Sequence, residues 1–378
     1  MKKILLLSCS TGEGHNSAAR AIREQLDGAG IESEIADPIS FRGKRSQRFV
    51  SSCYNNMIKN TPSLFGLVYK AGLIYDSTGM PSPVYMANSS YAESLWEYIE
   101  EKGYEAVIST HIFGMEALTA VRRKLGKYIP SYGVLTDYTI IPFFGDSRLD
   151  GFFVPHETLK ISLAEKGVPN DTIFVTGIPV AAKFRNRYEK SEARKLLGIP
   201  EQGKVYLVMS GGVGGGNLLG LCDELIKAVD DGSRIYVLTG RNEGIKRKIE
   251  EKYSDIPQIT AVPFTNDVNI YMNGADVLLT KPGGLSSTEA AVANIPLVHI
   301  NAIPGCESEN VKFFENHGMS VSAKNVREAA SAAVSLADDP ASSENMLENQ
   351  RRCIPRNAAE EIARHVLEER SAGICAAQ

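Results

Sequence analysis

The sequence predicts an α/β protein with two Rossmann-like domains, each built on a parallel sheet wound by helices. Short apolar runs alternate along the chain with segments of helical periodicity, and this alternation is typical of parallel strands joined by helical crossovers. The chain has 378 residues, which is more than one ordinary hydrophobic core accommodates. Together, these observations favour two domains of the same class.

Apolar runs bounded by turn residues predict the strands, and amphipathic segments predict the helices. The predicted strands are Ile4–Ser8, Glu34–Ala36, Ala106–Ser109, Ser131–Leu135 and Gly151–Val154 in the first half, and Thr172–Thr176, Val205–Met209, Ile235–Thr239, Ile259–Val262, Val277–Leu279 and Leu297–Ile300 in the second. The predicted helices are Ser17–Asp27, Tyr91–Lys102, Gly114–Leu125, Ser191–Leu197, Leu218–Val229, Gly244–Lys252 and Arg356–Glu369, the last with Ile362, Val366 and Leu367 on one face. A turn at Gly177 is predicted to separate an N-terminal domain, 1–177, from a C-terminal domain, 178–355, which a terminal segment, 356–378, follows.

The composition indicates a reduced cytoplasmic protein. A net charge of −4 does not support a general nucleic-acid-binding role. The six cysteines are scattered, without the paired spacing of a zinc site, so we expect neither a disulfide framework nor a bound metal. The apolar run at the start is too short for a signal peptide, and no segment approaches the ~20 apolar residues of a membrane span. Any membrane contact is therefore expected to be peripheral.

A glycine-containing turn follows the first strand and carries His15. The turn resembles a dinucleotide fingerprint, but the GxGxxG pattern fails after Gly14, which disfavours a nicotinamide-dependent enzyme. His15 follows the carboxyl end of a strand, where α/β proteins bind ligands. Because a neutral imidazole accepts a proton near pH 7, His15 is a candidate general base. His111 and Asp137 follow two further strands and are candidates to orient His15 or contact an acceptor, with a helix cap or turn as the alternative for Asp137.

Two glycine-rich turns in the second half predict a phosphate site. Gly211, Gly212, Gly214, Gly215 and Gly216 follow one strand, in a run that lacks the Lys-Ser/Thr of an ATP-hydrolysing P-loop. Lys281 follows another strand, and Gly283, Gly284, Leu285 and Ser286 lead into a helix, predicted to be opened by Ser286, Ser287 and Thr288 with Glu289 in its first turn. A helix N-terminus offers N–H groups to an anion, while an early carboxylate suits a sugar diol. The sequence therefore predicts a site for a nucleotide that carries a sugar.

Further strand ends supply polar and aromatic residues to the same predicted site. Arg241 adds a cation, and the backbone at Val262 together with Phe264 is placed to hold a base. Glu307 and Asn310 are candidates for contacts with sugar hydroxyls. Each loop alone is weak support for a nucleotide site, whereas several at successive strand ends reinforce one another.

An irregular segment, 41–90, interrupts the first half. It begins with the basic residues Arg42, Lys44, Arg45 and Arg48 and continues into an apolar, aromatic stretch that includes Phe65. A basic cluster beside an amphipathic aromatic segment is able to dock on an anionic bilayer. A solvated basic turn next to a core helix is an equally supported alternative.

The motifs together resemble the family of monogalactosyldiacylglycerol synthases and processive diacylglycerol glucosyltransferases. The resemblance rests on GEGHNSAA, LTD, TGIPV, MSGGVGGG, KPGGLSSTEA and IPGCESEN, which occur in that order over nearly the whole chain. It implies the GT-B fold, in which an N-terminal acceptor domain and a C-terminal UDP-sugar domain face a central cleft and the last helix crosses back to the first domain. It also implies an inverting hexosyltransferase without a cofactor, with His15 as the base, the glycines and Lys281 at the diphosphate, Phe264 at uracil and Glu289 at the ribose.

Two departures from the family pattern bear on the sugar and the acceptor. Cys306 stands where many members have glutamine, and Tyr138–Phe143 replaces a segment that contains histidine and tryptophan in many members. The interpretation is therefore a transferase that moves a hexose from a UDP-sugar to a lipid, with diacylglycerol favoured. The alternatives are an N-acetylglucosaminyl transferase acting on a polyprenyl-linked lipid, a UDP-sugar epimerase, and a catalytically degenerate UDP-sugar sensor at the membrane.

Overall fold

A computed structural model describes residues 3–9, 13–43, 66–67, 69, 71–72, 74–75, 80, 82–209 and 217–376, with side chains up to 368. The chain divides into two compact units. Unit 1 contains Met1–Ala181 and Pro355–Gln378, and unit 2 contains Ala182–Ile354. The chain therefore leaves unit 1 after Ala181 and returns to it at Pro355, within a few residues of the expected joins at 177 and 356.

Unit 1 is built on a six-stranded sheet with the order β2-β1-β3-β4-β5-β6. The strands are β1 (Lys3–Leu7), β2 (Glu32–Ala36), β3 (Ala106–Ser109), β4 (Ser131–Val134), β5 (Gly151–Val154) and β6 (Ile173–Val175), all paired in parallel. Strands β3 and β5 are buried from end to end, and β1 is buried from Ile4 onward, because helices cover both faces of the sheet. The sequence prediction placed the β6 run in the second half, and this was wrong, since β6 pairs with β5.

Helices form a separate hydrophobic core on each face of this sheet. The helices of unit 1 are α1 (Glu13–Gly28), α2 (Pro83–Ser89), α3 (Ala92–Lys102), α4 (Ile112–Leu125), α5 (Glu157–Glu165) and α14 (Ala358–Ala376). On one face Ile22 and Leu26 of α1 pack with Ile362 and Val366 of α14. The predicted apolar face of the last helix is thus confirmed, and it fixes the end of the chain to unit 1.

Unit 2 contains a second parallel sheet with the order β12-β11-β10-β7-β8-β9. Its strands are β7 (Val205–Met209), β8 (Arg234–Gly240), β9 (Ile259–Pro263), β10 (Val277–Thr280), β11 (Leu297–His299) and β12 (Val321–Ser322). Its helices are α6 (Lys190–Leu197), α7 (Leu218–Ala228), α8 (Glu243–Lys252), α9 (Val268–Gly274), α10 (Gly284–Ala293), α11 (Cys306–Asn316), α12 (Val326–Asp338) and α13 (Pro340–Cys353). The α/β class predicted for both halves is confirmed.

Each sheet reverses its strand order at one place that matters for ligand binding. In unit 1, β1 lies between β2 and β3; in unit 2, β7 lies between β8 and β10. At such a reversal the loops from the two strands diverge and leave a crevice at the carboxyl ends, where open α/β sheets bind ligands. The candidate site residues of each unit are therefore expected at these two crevices.

Candidate active site

His15 lies at the strand reversal of unit 1, in the first turn of α1 directly after β1. Its Nδ1 lies 2.9 Å from the carbonyl oxygen of Thr110 and 2.8 Å from Thr136 Oγ1. A carbonyl oxygen only accepts hydrogen bonds, so the contact with Thr110 assigns the proton to Nδ1. The lone pair is then on Nε2, and this atom is the one that can take a proton from a ligand.

The surroundings of His15 keep its ring neutral. Burial lowers the pKa of His15 from its usual 6.5 to about 4, and the hydrogen bond to Thr110 opposes part of that shift. A histidine with a pKa below neutrality has its proton-accepting form fully populated at pH 7. The geometry and the protonation state both suit a general base.

His111 caps a helix beside His15. It is the N-cap of α4, and its Nδ1 accepts a hydrogen bond from the backbone N–H of Phe113 at 3.2 Å. The proton of the neutral ring is therefore on Nε2, the opposite tautomer to that of His15. The two rings meet edge to face with centroids 4.6 Å apart, and burial together with His15 lowers the pKa of His111 well below 6.5. The site thus pairs an acceptor nitrogen on one ring with a donor nitrogen on the other.

The hydrogen bonds that fix the tautomer of His15 come from two residues that the sequence pattern did not predict, Thr110 and Thr136. Thr110 also donates through Oγ1 to the carbonyl oxygen of His15 at 3.1 Å. Asp137, the predicted orienting residue, is half-buried in the segment after β4, next to Thr136 in the sequence. Their positions in the sequence could have indicated this role. Thr110 and Thr136 each follow a predicted strand and directly precede a candidate residue, His111 or Asp137.

Three histidines with lowered pKa values make the stability of the fold depend on pH. The pKa values of His15 and His299 are lowered to about 4 and about 3, and that of His111 also falls. Between pH 6.5 and 4 the unfolded chain binds protons that the folded chain does not, so their stabilisation is present above 6.5 and is lost as pH falls. We expect urea unfolding to give a lower free energy at pH 5 than at pH 7, with a smaller difference in His15→Gln. An equal pH dependence in both proteins would contradict the shift assigned to His15.

At the strand reversal of unit 2, the residues of the predicted anion site lie in a turn between β10 and α10. The register pairs Met209, the last residue of β7, with Thr280, the last residue of β10. Gly283 is the N-cap of α10 with no side-chain cap, so the helix geometry leaves the N–H groups of Gly284, Leu285 and Ser286 without carbonyl partners inside the helix. Together with the helix dipole, such N–H groups favour an anion.

The helix after this turn begins earlier than predicted. Since α10 starts at Gly284, Ser286, Ser287 and Thr288 lie inside the helix, and Glu289 is in the second turn rather than the first. Gly283 has an extended backbone, and the helix begins at the next residue. Ser287 is fully buried, and its Oγ lies 2.9 Å from His299 Nε2 in the core. Glu289 is half-buried, on the same helix face as Leu285 and Ser286.

Residues of α11 hold the turn in place. Glu307 Oε1 lies 3.2 Å from Lys281 Nζ, and the amide of Asn310 donates to the carbonyl oxygen of Pro282 at 2.9 Å. Asn310 is completely buried, so in this geometry it shapes the turn rather than presenting its side chain to a sugar. Glu307, predicted at the sugar, pairs in the structure with Lys281 of the predicted phosphate turn.

At the ends of β8 and β9, Arg241 and Phe264 form an exposed stack. The guanidinium carbon of Arg241 lies 4.7 Å from the ring centre of Phe264, which is 53% exposed. Val262 is buried and its carbonyl oxygen accepts a hydrogen bond from Thr239. The pairing of a cation with an exposed aromatic ring forms a flat surface suited to stacking a base.

Several predicted site residues fall outside the described residues. These are Gly211, Gly212, Gly214, Gly215 and Gly216 of the glycine-rich run, and Lys44, Arg45, Arg48 and Phe65 of the predicted membrane contact. Arg42 is described and is exposed at the end of a 3-10 helix, Pro38–Arg42. In the described parts of the chain, no helix has both the length and the apolar character needed to cross a bilayer.

The described part of the inserted segment packs against another loop of unit 1 and exposes apolar side chains. A Cβ added to Gly72 would lie 2.9 Å from Pro142 Cβ, and Tyr75 packs on Phe143 with ring centroids 6.1 Å apart. Phe143 has a φ of 69°, an unusual conformation for a bulky residue. Leu67 and Ile74 are 64% and 72% exposed. The segment therefore contacts the loop that follows Thr136 and presents apolar side chains to solvent.

Comparison with known proteins connects this site to a family. The family model of monogalactosyldiacylglycerol (MGDG) synthase matches residues 15–180, a span that begins at His15. The chain is 26% identical to the processive diacylglycerol beta-glucosyltransferases of Bacillus pumilus and Bacillus subtilis, covering 97% of this chain and 95% of each relative. Both likenesses support the glycosyltransferase family that the motifs resemble. The resemblance predicted from the motifs is thereby confirmed.

Solved structures of low sequence identity share the fold of this protein. MurG of Acinetobacter baumannii has a TM-score of 0.63 at 15% identity, covering 97% of this chain and 100% of MurG. UDP-GlcNAc 2-epimerase of Neisseria meningitidis, bound to UDP-GlcNAc, has a TM-score of 0.61 at 15% identity, covering 97% of this chain and 100% of the epimerase. The likeness shows the GT-B fold, in agreement with the predicted fold class.

Proposed function

We propose that the protein is an inverting glycosyltransferase that moves a hexose from a UDP-sugar to the hydroxyl of a lipid, with diacylglycerol as the favoured acceptor. The observation that carries this proposal is the neutral His15 with its Nδ1 held by the carbonyl oxygen of Thr110. A base in this state has its Nε2 ready for an acceptor hydroxyl. The names of the relatives, processive diacylglycerol beta-glucosyltransferases, support the lipid acceptor.

The proposed reaction is a single displacement at the anomeric carbon. The acceptor oxygen attacks that carbon as its proton passes to His15 Nε2, and the bond from the carbon to the diphosphate oxygen breaks with its electron pair leaving on UDP. Attack opposite the leaving group inverts the configuration. His15 becomes an imidazolium and later returns its proton to solvent. A general base of this kind contributes ~10²–10⁴-fold to the rate.

Unit 2 supplies groups for the donor and for the charge of the leaving UDP. Lys281 and the first N–H groups of α10 are placed to stabilise the diphosphate electrostatically. The stack of Arg241 on Phe264 offers a surface for the base, and Glu289 is the proposed partner of the ribose hydroxyls. Three His, Cys, Asp or Glu side chains that could hold a metal together are not found among the described residues.

The inserted segment is proposed to bring unit 1 to the membrane surface where a lipid acceptor resides. Leu67 and Ile74 expose apolar side chains, and Arg42 adds an exposed positive charge. Apolar side chains that enter the interface beside basic residues bind anionic bilayers peripherally. The contact of Gly72 with Pro142 then connects this surface to the loop that follows Thr136.

Placing aspartate at Leu67 and Ile74 together tests the membrane surface. We expect the double variant to bind vesicles rich in phosphatidylglycerol about tenfold more weakly or worse, because buried apolar area drives interfacial binding. Cosedimentation with vesicles measures this. Ile161→Asp is the matched control, since Ile161 is 54% exposed on α5 of the same unit. Equal loss in both proteins would show that a negative charge placed elsewhere on unit 1 weakens vesicle binding as much, and would contradict a specific docking face.

A donor and acceptor screen tests the proposed function. The wild-type protein is incubated with UDP-glucose, UDP-galactose or UDP-N-acetylglucosamine and with diacylglycerol or polyprenyl-phosphate lipids, and the lipids are analysed by mass spectrometry. A hexosyl-diacylglycerol product of inverted configuration is expected. Transfer only to the polyprenyl lipid would favour the N-acetylglucosaminyl transferase. Free epimerised sugar nucleotide would favour an epimerase, and UDP binding without turnover would favour a sensor.

A further inference from the structure

Two side chains of α11, one helical turn apart, hold the turn between β10 and α10. Asn310 does so from a fully buried position, through its neutral hydrogen bond to Pro282. Glu307 bridges two groups, with Oε1 at 3.2 Å from Lys281 Nζ and Oε2 accepting from the backbone N–H of Ile303 at 2.8 Å. The contact of Asn310 with Pro282 is independent of charge, whereas the contact of Glu307 with Lys281 occupies the cation of the proposed phosphate site.

The Lys281–Glu307 ion pair is largely shielded from water. The side chains of Lys281 and Glu307 are 13% and 22% exposed. Charges in such a position interact more strongly than exposed ones and are screened less by salt. A diphosphate bound at Lys281 would bring negative charge close to the Glu307 carboxylate. The two anions therefore compete for the same ammonium group.

We propose that donor binding exchanges this ion pair. The diphosphate takes over Lys281, and the displaced Glu307 carboxylate accepts hydrogen bonds from hydroxyls of the donor sugar. Glu307 thus lowers the affinity for UDP alone, because it competes with the diphosphate for Lys281. When a sugar is attached to UDP, hydrogen bonds from the sugar to Glu307 offset this loss. The site then discriminates UDP-sugar from its product UDP, and this rests on the proposed function.

Glu307→Gln tests the exchange with little change of shape. Glutamine keeps an oxygen that accepts from the Ile303 N–H but has no charge with which to hold Lys281. We expect the variant to bind UDP about three- to tenfold more tightly than the wild type and to lose preference for UDP-glucose over UDP. Isothermal titration calorimetry with UDP and with UDP-glucose measures both affinities.

Glu309→Gln is the matched control on the same helix. Glu309 pairs with Lys312 at 2.7 Å on the exposed side of α11. The affinities of Glu309→Gln for UDP and for UDP-glucose should therefore both match those of the wild type. Thermal unfolding of each variant verifies that the fold is retained. Unchanged or weaker UDP binding by Glu307→Gln overturns the exchange while leaving the donor site intact. A wild-type protein that binds no UDP overturns the proposed function and the exchange together.

Discussion

Replacing His15 with alanine is expected to lower the turnover number of lipid glycosylation by about 10²–10⁴-fold, the usual contribution of a general base. The reason is local, because Nε2 is the atom of the ring that can take the acceptor proton once Thr110 and Thr136 engage Nδ1. UDP affinity should stay at the wild-type value, since the proposed diphosphate groups lie in unit 2. Initial rates with radiolabelled donor and calorimetric UDP binding provide the two measurements.

A second histidine offers a matched control for this prediction. His156 also follows a strand of unit 1 and caps a helix, accepting from the N–H of Thr158. His156→Ala should leave turnover per folded molecule unchanged, although the lost cap costs about 1 kcal/mol of stability. Near-normal turnover in His15→Ala would remove His15 from the chemistry.

A smaller loss of turnover is expected in Thr136→Val, in which His15 Nδ1 keeps its contact with the Thr110 carbonyl oxygen.

The sequence could predict where the reactive histidine would lie but not what holds it. The strand before His15 was visible as an apolar run, and its place after that strand indicated the ligand edge of the sheet. The partners of Nδ1 are 95 and 121 positions away along the chain. They meet His15 only because β3 and β4 are brought beside β1 in the sheet, which a pattern of single residues does not specify.

In unit 2 the residues of the phosphate turn were recognised, while their pairing was not. Lys281 and Glu307 were assigned to different parts of the donor, yet the structure joins them in one ion pair. Local propensity also misplaced the start of α10, since serines and threonine favour helix caps but here follow a glycine that already begins the helix. Side chains that hold the backbone from another element, such as Asn310, resemble ligand contacts when only the sequence is known.

Arg194 was not recognised as important, although it joins several segments of unit 2. The residue is 4% exposed, and its guanidinium donates to the carbonyl oxygens of Gly274, Glu201 and Gly203. It also pairs with Asp276 at 2.9 Å. Asp276 in turn accepts from the N–H of Val205, so the carboxylate connects the starts of β7 and β10, the two strands that flank the reversal.

Arg194→Met is expected to lower the free energy of unfolding by about 3 kcal/mol, because it leaves Asp276 and three carbonyl groups without their buried donor. Lys190 still contacts Asp276 Oδ1, which holds the loss below that of a fully isolated charge. Urea unfolding measures the change. Arg327→Met is the matched control in unit 2, since Arg327 is 86% exposed and its pair with Glu224 should contribute nothing measurable. If both variants unfold at the wild-type urea concentration, Arg194 does not stabilise the strands that carry the phosphate turn.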